Sequence, residues 1–69
     1  MSGVTVTVNG RPLVLADGAT LADLVSALDL DGRVAAAEHN GAPVPPSGYA
    51  GTALADGDRV ELVRVMAGG

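Results

Sequence analysis

The stretch "VTVTV", Val4 to Val8, alternates apolar and polar residues, with Val4, Val6 and Val8 on one face and Thr5 and Thr7 on the other. Side chains of a strand point alternately to the two sides of its sheet, so a period of two in β-branched residues predicts a half-buried strand. Asn9-Gly10 follows, a pair suited to the left-handed dihedrals of a type I′ hairpin turn. Arg11 to Leu15 makes the return strand, and Pro12, which has no amide to donate, suits a sheet edge. The period then changes. Leu21, Leu24, Val25 and Leu28 fall at i, i+3, i+4 and i+7, the apolar stripe of a helix over 21–28. Thr20 is placed as its N-cap, with Asp23 close to a capping-box position and favourable beside the helix dipole. The helix is expected to stop before "DLDGR", with Gly32 as the breaker.

Val34 to His39 carries a run of Ala that would suit a helix, but Gly32 before it and the Asn40-Gly41 turn after it predict a short strand. "APVPPSGYAGTAL" holds three of the four Pro and is expected to be largely irregular, with a short strand at Ala42 to Val44. Asp56-Gly57-Asp58 reads as a turn and Arg59 to Val65 as the last strand. Strands gathered around one helix indicate an α+β fold, a single sheet with one helix across one face. The first and last strands are the most apolar and are expected side by side at its centre. One domain over 1–65 and a flexible tail over 66–69 account for all 69 residues.

Composition removes several classes of function. A net charge of −4, no Lys and a single aromatic residue, Tyr49, give neither the basic patch nor the stacking platform that nucleic acid needs. No apolar run is long enough for a membrane span or a secretory leader, so neither membrane nor nucleic acid is an expected partner and a cytoplasmic location is the default. Cys is absent, which removes thiolate metal sites and thiol nucleophiles. One His and scattered Ser do not make a nucleophile triad. Asp29 and Asp31 lack the surrounding acidic loop of a calcium site and read as a solvated helix end. His39 reads as a partly exposed strand-end residue, and Asp56 and Asp58 as turn chemistry. No catalytic residue, metal site or bound cofactor is expected.

Two features remain. In "RVELVRV", Val60 and Leu62 share one face, while Val63 and Val65 fall on the other with Glu61. With a helix on only one side of the sheet, Val63 and Val65 face water and would form a docking patch; a strand buried on both sides, or isolated exposed apolar residues, would explain them equally. The second feature is "MAGG", Met66 to Gly69, which can reach at most about 13 Å when extended. Gly has no Cβ, so Gly68 and Gly69, with Ala67 and Met66, would thread a narrow tunnel and leave the carboxylate of Gly69 unhindered. Such a carboxylate suits activation by ATP followed by attack of a nucleophile. The tail would then be a substrate, not a catalyst.

These elements, "VNG", "TLADLVSAL", "AEHNGAPVP" and "DGDRVELV" with its "AGG" tail, resemble the ThiS-type sulfur carrier proteins of thiamine biosynthesis over nearly the whole chain. The resemblance implies a ubiquitin-like β-grasp fold with a single mixed sheet. It also implies that an E1-like adenylating enzyme uses ATP and Mg to activate Gly69. A sulfur donor such as a cysteine desulfurase relay then makes a thiocarboxylate, and thiazole synthase takes up the sulfur. A passive interaction module is a further alternative, and molybdopterin synthase small subunits, carriers for cysteine or secondary metabolites, and ubiquitin-like modifiers share the fold. The last are disfavoured because a chain without Lys cannot form Lys-linked chains with itself. Pro46 and Tyr49 stand where such carriers commonly have Arg and Trp, which bears on partner choice, and Ala35 and Ala37 stand where larger aliphatics are common, which implies a thin core.

Overall fold

In the computed structural model, which describes residues 3–65, each of these strands forms. Strand β1 spans Gly3–Val8, β2 Arg11–Ala16, β3 Val34–His39, β4 Ala42–Pro43 and β5 Arg59–Arg64, with helix α1 at Leu21–Ala27. The sheet order is β2-β1-β5-β3-β4. β1 and β5 are parallel and every other neighbouring pair is antiparallel, so the sheet is mixed. The two most apolar strands are central, as their composition implies. Pro12 and Pro43 lie on the two edge strands, where a missing amide costs the ladder nothing.

The helix is set by its caps. Thr20 Oγ1 accepts from the Asp23 amide at 3.2 Å, and Asp23 Oδ2 accepts from the Thr20 amide at 2.9 Å, a full capping box. The next two unpaired amides are met by the Pro-rich loop: Leu21 donates to the Thr52 carbonyl at 2.9 Å and Ala22 to that of Tyr49 at 3.1 Å. That loop is irregular apart from a 3₁₀ turn at Pro46–Gly48, yet its carbonyls fix it to the helix start. At the other end, Asp29 takes a left-handed conformation at φ 58°. Its amide donates to Ser26 and that of Leu30 to Val25, a Schellman ending closed by contact of two buried apolar side chains. Asp29, not Gly32, therefore terminates the helix, and Gly32 shapes the turn after it. Asp31 accepts a 3.0 Å hydrogen bond from Ser26.

Leu21, Leu24 and Val25 pack on Val4, Val6, Val8, Val60, Leu62 and Ala37, with Leu30 and Leu54 closing the ends of the core. Each full burial of a Val or Leu is worth about 1.5–3 kcal/mol. Ala37 is the thin point of this core; Ala35 is not part of it. The register slips between Val34 and Ala36, and the bulge leaves Ala35 exposed.

The central β1–β5 pairing is short, with only Thr7↔Arg59 and Val8↔Val60 in register. Side chains lengthen it at both ends. Before it, Asp56 Oδ1 accepts from the Thr5 amide at 2.7 Å. Beyond it, Asn9 donates its main-chain amide to Val60, and its side chain both donates to the Leu62 carbonyl at 3.1 Å and accepts from the Leu62 amide at 2.8 Å. Asn9 thus forms the hairpin turn at φ 50° and also stands in for a missing strand residue. Asp58 holds the other side. His39 Nε2 lies 2.7 Å from its Oδ2, which also accepts from the Ala55 amide, while Asn40 Nδ2 donates to its Oδ1. The hydrogen bond to His39, then that from Ala55, holds the Asp58 carboxyl below its ordinary value of 3.8.

Replacing Asn9 by Gly keeps the turn but strips both side-chain bonds from Leu62. The expected result in a urea titration is a loss of about 1–3 kcal/mol. A depressed carboxyl pKa stabilises the fold above the unfolded value, and that contribution is lost as pH falls toward the lowered one. Asp58→Asn should therefore be less stable than wild type at neutral pH. The gap between their melting temperatures should close as pH falls below 3.8.

Candidate functional site

With Val60 fully buried and Leu62 nearly so, alternation along β5 turns Arg59, Glu61 and Val63 to the sheet face that α1 does not cover. Val63 is 58% exposed, and Val65, one residue past the strand, is 54% exposed. The sheet is thus buried on one side only, and both valines stand in water. Val63 lies opposite Ala36, in the same unbroken register that pairs Ala37 with Leu62, so the patch is broader than the strand alone suggests. No feature of the sequence marks Ala36, because the register that places it arises from the pairing of two distant strands.

The chain is held firmly up to this patch. The Val65 amide donates to the Arg33 carbonyl at 2.7 Å, one of the shorter main-chain bonds in the fold. Together with the grip of Asn9 on Leu62, it fixes the direction in which the polypeptide leaves the sheet. Met66, Ala67, Gly68 and Gly69, the expected tail and sulfur-carrying terminus, lie outside the described residues. Asn9 is the positioning residue that the sequence did not disclose: an Asn-Gly pair announces a turn, but not a contact 53 positions away.

His39 ends β3 half-buried against Asp58, and the pair ties two turns together. Asp29 and Asp31 are engaged in the helix ending. Among the described residues no group of three or more His, Cys, Asp or Glu side chains is arranged to hold a metal ion. No described helix is long and apolar enough to cross a membrane. Tyr49 packs against the core, and its carbonyl caps α1.

The chain matches the model of the ThiS family over residues 3–69. It is 37% identical over 62 residues to a thiazole synthase of Paramagnetospirillum magneticum; the match covers 90% of this chain but 19% of that protein, so the chain spans about a fifth of its relative's length. Among solved structures it resembles the crystal structure of the thiamine biosynthesis protein ThiS from Geobacter metallireducens. That likeness has a TM-score of 0.77 at 33% identity and covers 96% of this chain and 100% of the other. The mixed sheet with its single helix is the β-grasp arrangement that the sequence resemblance implied, and the chain belongs to the ThiS family.

Proposed function

We propose that the chain is a sulfur carrier of thiamine biosynthesis, a protein co-substrate whose Gly69 carboxylate is loaded with sulfur. The observation that carries this reading is the end of β5. A strand pinned on both sides precedes Met66–Gly69 in sequence, with two exposed valines, Val63 within it and Val65 just past it. A partner seated on the valines would lie beside the point where the chain passes on to those four residues. Membership of the ThiS family and likeness to a thiamine biosynthesis protein support the pathway. The match to a segment of a much longer thiazole synthase supports that enzyme as the sulfur acceptor.

In the proposed cycle an E1-like adenylating enzyme transfers AMP from MgATP to the Gly69 carboxylate and releases pyrophosphate. ATP and Mg belong to that enzyme, and the chain binds no cofactor of its own. The terminal sulfur of a persulfide, relayed from a cysteine desulfurase, attacks the acyl adenylate and AMP leaves. A thiol then cleaves the S–S bond, leaving a thiocarboxylate on Gly69 and a disulfide on the donor. Gly68, Ala67 and Met66 give access to the enzyme's active site. The chain has no Cys, so sulfur would travel on the terminal carbonyl.

Intact-mass measurement after incubation with the adenylating enzyme, MgATP and the sulfur donor should show one oxygen replaced by sulfur. An unchanged mass with active partners would overturn the proposal. A carrier must leave each partner, so complexes with Kd on the order of micromolar are expected. Val63→Asp should weaken binding to the adenylating enzyme roughly tenfold or more while barely moving the melting temperature, because the side chain is exposed. A large drop in melting temperature would instead place Val63 among the residues that hold the fold.

A further inference from the structure

On the same open face, one step down from Val63 and Ala36, Glu61 of β5 lies directly opposite Glu38 of β3. Like charges in register across two strands repel and cost stability. Among the described residues no Arg or His side chain lies within ion-pairing distance of either glutamate. Arg59 lies on the same face two residues before Glu61, yet it pairs with neither carboxylate. Both glutamates are exposed, and with Asn40, Gly41 and Arg59 they line a shallow depression in which two carboxylates outnumber one guanidinium. The Asn40 side chain is already committed, accepting from the Arg59 amide and donating to Asp58, so it does not neutralise the pair.

The arrangement along β5 is therefore ordered. Moving away from the exit of the chain, Val65 and Val63 come first and the facing carboxylates follow, with successive same-face residues about 6–7 Å apart. We infer that this strip docks a partner protein that places an apolar side chain over Val63 and a Lys or Arg side chain between Glu38 and Glu61. Charge complementarity selects that occupant. A cation set between the carboxylates removes their repulsion and gains two charge-assisted contacts, whereas an acidic or wholly apolar surface would leave the repulsion unrelieved. A second copy of this chain is a poor occupant, since it carries a net charge of −4 and would bring its own glutamates. The inference rests on the carrier reading, because the partner meant is the adenylating enzyme that loads Gly69.

The test measures binding of the full chain to that enzyme, by calorimetry at low and at high salt, for wild type, for the double variant Glu38→Gln/Glu61→Gln, and for Val14→Asp as an exposed control on the far edge strand. The double variant should melt at the same temperature as wild type or higher. At low salt it should bind roughly three- to tenfold more weakly. Wild-type affinity should fall with added salt, and that dependence should be largely absent in the double variant. Val14→Asp should bind as wild type does. Equal binding and equal salt dependence of the double variant and wild type would overturn the inference while leaving the carrier reading intact, as would a lowered melting temperature in the double variant. If wild type itself neither binds nor is loaded with sulfur, the carrier reading fails and the inference fails with it.

Discussion

Everything in this fold turns on the seating of one strand, β5, between a parallel and an antiparallel neighbour. Its register there decides which of its residues are core and which are surface, since a slip of one position would exchange Val60 and Leu62 for Glu61 and Val63. The parallel side of that seat is short, and short parallel pairings are weak. The fold compensates with side chains. Asp56 extends the pairing at the entrance, Asn9 extends it at the exit, and Asp58 binds the turn before β5 to the end of β3. Each is a polar residue in a turn, so a strand that is apolar on its buried face is held in place by groups at its ends.

Much of this was legible in the sequence, and the reasons differ by element. The Val-Thr alternation of β1 and the Leu21, Leu24 and Val25 stripe of α1 are local periods that survive translation into three dimensions, whereas Leu28, the fourth position of that stripe, becomes the C-cap and lies exposed. The Thr20 and Asp23 cap was legible for the same reason, as a contact between residues three apart. Long-range pairing obeys no such rule. That Asn9 would grip Leu62, that Ala35 would be bulged out and Ala36 brought beside Val63, and that Glu38 would face Glu61 all depend on how β5 aligns with strands far away in the chain. The helix ending misled for a narrower reason: Gly32 is the usual left-handed residue, but Asp29 came first and took the position.

On the proposed reading, the two faces of the sheet divide the labour between stability and recognition. The helix side holds nearly all the buried apolar side chains and, with the capped helix, supplies the stability a chain of 69 residues can muster. The open side forgoes burial at Val63 and Val65 and tolerates a repulsive pair at Glu38 and Glu61. Neither feature helps the isolated chain. Local rules broken without a compensating gain inside the molecule are expected where another molecule supplies the gain. In a ThiS-family chain proposed to pass between enzymes, the molecule proposed to supply that gain is a partner protein that binds, acts on Gly69 and lets go.

Methyl NMR of the chain titrated with the adenylating enzyme proposed to load it tests this division most directly. The valine and leucine methyl groups report every relevant surface at once. The account predicts that Val63 and Val65 shift or broaden first, while Val60, Leu62 and the outlying Val14 stay unchanged. Perturbation centred on Val14, or on the leucines of the helix side, with Val63 and Val65 unaffected, would contradict it.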